Sequence, residues 1–291
     1  MLEQYQNFVF DLYGTLIDIH TDENKKSFWT GMAGIYSCYG APYTGSELHD
    51  KYLQLVQEEE DKIVRDRGCK YPEIRLEKVF VQLLRQKWNE ADDSTNYYRH
   101  DYANISEIES IRTPQNYDAM YKMSDEELLT SPWVEMISNV FRTTSRSKLK
   151  NFNYTLPFLD WIKAKGGKIY LLSNAQHLFT IPELDITGLT DYFDGIYISS
   201  IKELKKPEKG FIEGLINEYN LKPEETLMTG NEMFSDMGSA MQAGVDGLFL
   251  NNDKMTPEKV QKKYKDVKEK FGGDNSHIYL NGLEIIKDII R

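Results

Sequence analysis

Cysteine is scarce in this chain: Cys38 and Cys69 are the only two among 291 residues. They show no metal-ligand spacing and read as reduced thiols of a cytoplasmic protein rather than as a disulfide pair. Basic residues are also in deficit, with 35 Lys+Arg against 46 Asp+Glu and a net charge of −11. Sequence-independent binding to nucleic acid needs clustered cations, so this acidic balance excludes it as a first expectation. Long apolar runs are missing as well: none approaches the roughly 18 residues of a membrane span. The start, Met1-Leu2-Glu3-Gln4-Tyr5, carries acid rather than base and leads straight into a strand-like segment. That is not the profile expected of a secretory signal. Low complexity and internal repeats are absent too. What is present is 40% hydrophobic and 28% charged residues, the balance of a globular protein with one large domain or a domain and a smaller partner.

Two kinds of sequence alternate. Phe8-Val9-Phe10 is a short apolar run closed by Asp11; Lys168 to Leu172 is closed by Ser173-Asn174; Glu225 to Thr229 is closed by Gly230. Asp194 to Ile198 and Gly247 to Leu250 repeat the pattern. Such runs suit strands buried on both faces of a parallel sheet. Helical patterns lie between them, over Leu156 to Lys165, Glu208 to Tyr219, Met233 to Ala243 and Pro257 to Phe271. Gly166-Gly167 and Gly244 stop the first and third of these helices. Strand, helix, strand in repetition predicts a doubly wound, Rossmann-like α/β sheet.

Residues 19 to 149 read differently. Trp29, Met32, Ile35 and Tyr36 recur at helical spacing, as do Tyr52, Leu55 and Val56, then Val79, Leu83 and Leu84. Pro132 suits the first turn of a further helix carrying Val134, Ile137, Val140 and Phe141. Asp92 to Tyr121 is polar and Tyr-rich, either a long loop or a hairpin with helical pieces. The expected organisation is a core of residues 1–18 and 150–291, with 19–149 inserted as a mainly helical cap. An insertion after a strand's carboxyl end lies over the ligand-binding mouth of an open α/β sheet.

Four segments end at that mouth: Asp11-Leu12-Tyr13-Gly14-Thr15, Ser173-Asn174, Lys206-Pro207, and Gly230-Asn231-Glu232 followed by Ser235-Asp236. A strand-end carboxylate can act as a nucleophile. Gly14 permits a tight loop whose N–H groups point at an anion, and Thr15 adds a hydroxyl. Ser173 and the N–H of Asn174 can donate to a transferred group, and Lys206 can neutralise an anionic substrate. Taken together in this order, the four motifs resemble those of the haloacid dehalogenase superfamily. The resemblance covers residues 1 to 18 and about 150 to 291, and the insertion is similar to that family's cap.

The resemblance implies a hydrolase with Asp11 as nucleophile and Ser173 and Lys206 in catalysis, with Thr15 and Asn174 binding substrate. It further implies Mg²⁺ on Asp11, the main-chain carbonyl of Tyr13, Asp236 and either Glu232 or Asn231. Glu232 also has a structural reading, as a charge at a helix start. Phosphatases of the family carry a second Asp, two residues after the nucleophile, as general acid and base. Here that residue is Tyr13. D-x-Y-G-T is similar to the pattern of 2-haloacid dehalogenases, whose halide leaves without a proton. Against that reading, Phe28-Trp29-Thr30 lacks the Arg those dehalogenases carry, and Glu232 and Asp236 favour a metal-dependent phosphoryl site. A phosphatase would then need a good leaving group or another acid, such as His20, Asp22 or Glu23. His177 is a further candidate for the pocket wall.

The expected function is therefore a Mg²⁺-dependent phosphatase of a small phosphorylated metabolite. A dehalogenase and a catalytically silent binding protein of the same fold are the alternatives. The expected partner is a small anionic molecule, with no membrane, in a monomer or homodimer.

Overall fold

Among the described residues, eight strands form in the computed structural model: β1 (Asn7–Phe10), β2 (Ile17–Thr21), β3 (Arg146–Asn151), β4 (Lys168–Ser173), β5 (Gly195–Ile198), β6 (Thr226–Gly230), β7 (Asp246–Phe249) and β8 (Ile278–Tyr279). The structure describes residues 2–94, 119–272 and 276–291. Most of the stretch Asp92 to Tyr121, left open by its sequence, lies outside them. Six strands make one parallel sheet in the order β5-β4-β1-β6-β7-β8, and β2 and β3 make a separate pair. The chain divides into two compact units. The first comprises Met1–His20, Ile63–Ile74 and Lys148–Arg291; the second comprises Thr21–Lys62 and Arg75–Ser147.

In the first unit the strands alternate faces, as a pleat with period 2 requires. Phe8, Phe10, Ile169, Leu171, Leu227 and Leu248 bury on one side. Helices Thr155–Ala164 and Gly282–Ile289 cover them through Phe158, Leu159, Ile162, Ile285 and Ile286. Val9, Tyr170, Leu172, Met228 and Phe249 bury on the other. Helices Lys209–Glu218 and Pro257–Phe271 cover that face through Phe211, Ile212, Leu215, Val260 and Val267. Two helical layers on a parallel sheet are the doubly wound architecture expected from the alternating runs. The chain steps from β1 to β4 on one side and later returns to β6 on the other. That reversal puts the carboxyl ends of β1, β4 and β6 at the topological switch point, where such sheets bind ligands.

Two local differences from the sequence reading follow from polarity and crowding. β3 is Arg-Ser-Lys-Leu-Lys-Asn, half-exposed along its length, and carries no apolar alternation to betray a strand. Lys148 on β3 pairs with Asp18 on β2 at 2.5 Å. The helix expected from Met233 opens as a π-helical turn, Met233–Met237, before continuing as Gly238–Ala243. That turn buries Asp236 together with Met233 and Met237.

The second unit is helical: Lys26–Cys38, the larger part of Gly45–Arg67, Leu76–Ser94 and Pro132–Ser145, where the spacing predicts helices, and Asp125–Leu129, for which it gives no sign. Pro132 occupies the first turn of the helix it begins. Ser124 and Glu127 form a reciprocal capping box on Asp125–Leu129. Its core is aromatic. Phe141 meets Phe28 at 5.0 Å and Phe80 at 5.2 Å between ring centroids, and Trp29 meets Tyr52 at 5.0 Å. The buried polar tips find acceptors: Tyr36 donates to the Phe80 carbonyl and Trp88 to that of Tyr39.

Candidate active site

Asp11 follows the last residue of β1, and its N–H still donates to the Thr229 carbonyl of β6 at 2.9 Å. Its carboxylate is buried at 8% exposure. Oδ1 accepts from Lys206 Nζ at 2.7 Å and Oδ2 from Thr15 Oγ1 at 3.0 Å. The same Lys206 Nζ lies 2.8 Å from Asp236 Oδ1. Asp236 Oδ2 accepts from the Glu232 N–H at 2.9 Å. Three of the four motifs therefore meet in one buried triad of two carboxylates and one ammonium.

The triad carries a net charge of −1, and its titration reflects that. Burial works against the Lys206 charge, but Asp11 and Asp236 outweigh it and hold the ammonium above the ordinary lysine range. Burial pushes the Asp236 carboxyl up to about 6, with Lys206 opposing and the Asp11 charge adding to the rise. One lysine cannot satisfy two desolvated acids.

Loop chemistry explains the closeness. Gly14 has φ +81°, a left-handed conformation, and a Cβ on it would lie 2.5 Å from Asn231 Nδ2. A Cβ on Gly230 would lie 2.2 Å from Asp236 Oδ2. Glycine at 14 lets the first and fourth motifs pack, and glycine at 230 lets the fourth fold back on itself. Asn231, 9% exposed, places Oδ1 3.0 Å from Thr15 Oγ1, whereas the Glu232 side chain is exposed. Of the two residues whose spacing left them equivalent, the structure brings Asn231 against the nucleophile loop.

Ser173, at the end of β4, is fully buried, and its Oγ has no hydrogen-bond partner. An unpaired buried hydroxyl costs about 1–3 kcal/mol unless it gains an acceptor. The Asn174 side chain has another task. Its Oδ1 accepts from the Lys206 N–H at 2.7 Å and its Nδ2 donates to the Lys206 carbonyl at 3.0 Å. That reciprocal pair holds the backbone from which the lysine projects. Lys206 rather than Lys205 enters the site; the Lys205 N–H donates to the Tyr71 carbonyl. His177 packs on Ser200, with Nδ1 3.2 Å from its Oγ. His20 is exposed. Asp22 and Glu23 belong to the second unit.

Three features escaped the sequence. The Tyr13 hydroxyl donates to Glu183 Oε2 at 2.5 Å and lies 3.3 Å from Thr180 Oγ1, both on helix His177–Thr187. Glu183 is 1% exposed. The segment Ile63–Ile74 is bound into the first unit alongside residues 199–208. Arg67 pairs with Glu203 at 2.6 Å, the Glu208 carboxylate accepts from the Lys70 and Tyr71 N–H groups, and Pro72 bridges Leu204. Within it Glu73 accepts from Ser199 Oγ at 3.0 Å and from Gln176 Nε2 at 3.1 Å. Acids alone do not announce a metal: among the described residues no group of three His, Cys, Asp or Glu side chains converges to hold an ion. Nor, among those residues, is any helix long and apolar enough to cross a membrane.

A family model described as haloacid dehalogenase-like hydrolase matches residues 5–244. A glyceraldehyde 3-phosphate phosphatase of Pyrococcus furiosus is 22% identical over 141 residues, 48% of this chain and 58% of that protein. A phosphoglycolate phosphatase of Nitrosococcus oceani is 29% identical over 93 residues, 32% of this chain and 41% of that protein. The matched stretches thus span less than two thirds of these relatives. Among solved structures, a 2-haloacid dehalogenase from Pseudomonas syringae pv. tomato DC3000 superposes with a TM-score of 0.54 at 15% identity, covering 98% of each chain. That likeness is one of fold.

Proposed function

This chain belongs to the haloacid dehalogenase-like hydrolase family, and from that premise we propose that it is a Mg²⁺-dependent phosphatase of a small phosphorylated metabolite, with Asp11 as nucleophile. The observation that carries the reading is the buried Asp11–Lys206–Asp236 triad beside a strand end whose hydroxyl, Ser173 Oγ, lacks a partner. The names of the curated relatives, phosphatases of small phosphorylated compounds, support it.

Asp11 attacks phosphorus through a carboxylate oxygen whose orientation Lys206 and Thr15 fix. Ser173 Oγ and the Asn174 N–H donate to the equatorial oxygens of the group in transit. Water then cleaves the aspartyl phosphate and restores the carboxylate. Because the triad is already −1, a phosphoryl anion entering it meets net repulsion unless a further cation is present. The donors are all oxygens and suit a hard divalent ion. Asp11, Asp236 and the Tyr13 carbonyl would hold Mg²⁺, with Asn231 better placed than Glu232 to join them. Bound there, Mg²⁺ would supply the charge neutralisation that the triad lacks.

The test is turnover of 4-nitrophenyl phosphate. Mg²⁺ should raise it, and Asp11→Asn should abolish it while the protein stays folded. A second reading, cleavage of a carbon–halogen bond, is favoured by one observation: Tyr13 stands where a phosphatase carries its acid. Chloride release from 2-chloropropionate without metal, with no phosphate turnover, would replace the first reading by this one.

A further inference from the structure

We infer that Tyr154 and Asn252, which lie outside the four motifs, are positioning residues for the nucleophile: joined to each other, they clamp the main chain of residues 14–15 and through Thr15 set the orientation of the Asp11 carboxylate. The inference rests on the phosphatase reading and adds two residues to its machinery.

Three consecutive carbonyls of the nucleophile loop are each held by a side chain from elsewhere in the first unit. The Gly14 carbonyl accepts from Asn252 Nδ2 at 2.6 Å. The Thr15 carbonyl accepts from the Tyr154 hydroxyl at 2.6 Å. The Leu16 carbonyl accepts from Thr155 Oγ1 at 2.7 Å and from the Phe152 N–H at 3.1 Å. The first two holders are themselves linked, because Asn252 Nδ2 also donates to the Tyr154 hydroxyl at 2.8 Å. The side-chain amide thus uses both of its protons, and the phenol gives its one proton to Thr15 while accepting from Asn252. Burial holds that phenol above the ordinary tyrosine range, so it keeps the proton it shares.

Both holders are fixed from behind. The Tyr154 ring stacks on Phe152, with centroids 5.5 Å apart and planes 6° from parallel. Asn252 follows β7 and starts a turn that Asn251 closes, its Nδ2 donating to the Met255 carbonyl at 2.8 Å and its Oδ1 accepting from the Met255 N–H at 2.9 Å. The loop they hold needs such support, because Gly14 sits in a left-handed conformation that carries no side chain to restrain it. The effect reaches the chemistry through one residue. Thr15, whose carbonyl Tyr154 holds, is also the residue whose Oγ1 lies 3.0 Å from Asp11 Oδ2. Lys206 fixes the other oxygen, Oδ1. A carboxylate gripped at both oxygens cannot turn, and the clamp secures one of the two grips.

The experiment measures kcat/KM of the full chain for 4-nitrophenyl phosphate with Mg²⁺, and the inhibition constant of inorganic phosphate, in Tyr154→Phe and Asn252→Ala. Tyr154→Phe removes one oxygen and keeps the ring stacked on Phe152, so it tests the clamp with the least disturbance; Asn252→Ala is the independent second variant. In each, kcat/KM should fall at least about tenfold, toward the 10²-fold that a misplacement near 1 Å costs. The phosphate constant should stay within about threefold, because the loss falls on the attack and not on the bound ground state. Thr15→Val removes the hydroxyl through which the clamp acts; in that background Tyr154→Phe should cost less than about threefold, as mutations of one coupled contact do not add. If Thr15→Val alone turns over too slowly to measure, the single variants decide. A loss under about tenfold in both single variants would overturn the inference. So would an equal loss of kcat/KM and phosphate affinity, or a full loss from Tyr154→Phe in the Thr15→Val background, since a merely structural role gives those results. In each of these cases the phosphatase reading survives. No turnover by folded wild-type protein would overturn both.

Discussion

Replacing Lys206 by Met isolates the charge of the triad, because methionine refills most of the apolar stem and leaves little cavity. In the native protein Nζ lies 2.7 Å from Asp11 Oδ1 and 2.8 Å from Asp236 Oδ1. Without it two buried carboxylates share a site with no cation. Removing one partner of a buried ion pair costs about 3–5 kcal/mol, and two acids depend on this one lysine. The variant can recover part of that cost by retaining a proton on the acid pair. The Asp236 carboxyl is already pushed up to about 6 by burial, against the opposing pull of Lys206; losing that pull moves it further up. A carboxyl raised on folding contributes stability below its ordinary range near 4, and that contribution is lost as pH rises through its folded value. The variant's stability should therefore decline with pH over a window reaching above 6, by up to about 1.4 kcal/mol per pH unit for one retained proton. Urea denaturation of both proteins between about pH 5.5 and 8.5 reads this directly, as midpoints at constant slope. The deficit should be smallest at the acid end and reach several kcal/mol at the alkaline end. A deficit under about 1 kcal/mol, equal at every pH, would refute the reasoning, because exposed pairs behave that way and buried ones do not.

Two further substitutions probe the geometry. Gly230→Ala places a methyl 2.2 Å from Asp236 Oδ2 and must displace that carboxylate; phosphate turnover should fall about 10²-fold with the circular dichroism of the fold retained, since a misplacement near 1 Å costs that much. Asn174→Ala removes both hydrogen bonds to the Lys206 backbone. It should cost about 1–3 kcal/mol in thermal or urea unfolding, through the buried N–H it strands, and lower kcat more than it raises KM.

The sequence was most readable where burial is total. Phe8 to Phe10, Ile169 to Leu172 and Thr226 to Thr229 are buried on both faces, and each strand stops within one residue of the Asp11, Ser173 or Gly230 that closes its run. Asp11, Ser173 and Asp236 could be singled out because strand ends and chain order bring them together. Features held by hydrogen bonds between distant residues left no such trace. Tyr13 and Glu183 are 170 residues apart, and nothing in the pattern of helix His177–Thr187 marks Glu183 as facing inward. Spacing could not tell Asn231 from Glu232 either, and the packing of Asn231 on Thr15 is a contact that no spacing shows. The strand pair of β2 and β3 stayed hidden because its second member is polar throughout.

The stretch Ile63–Ile74 has a practical consequence for exchanging the insertion between relatives. It lies in the middle of the insertion by number, yet its main chain is stitched to the segment that presents Lys206: the Lys205 N–H donates to Tyr71, and the Glu73 N–H donates to Glu203. A graft that swaps everything from Thr21 to Ser147 would carry off the scaffolding of the recipient's own lysine loop. Seams at 62/63 and 74/75, in addition to the outer two, would leave that scaffolding with its host.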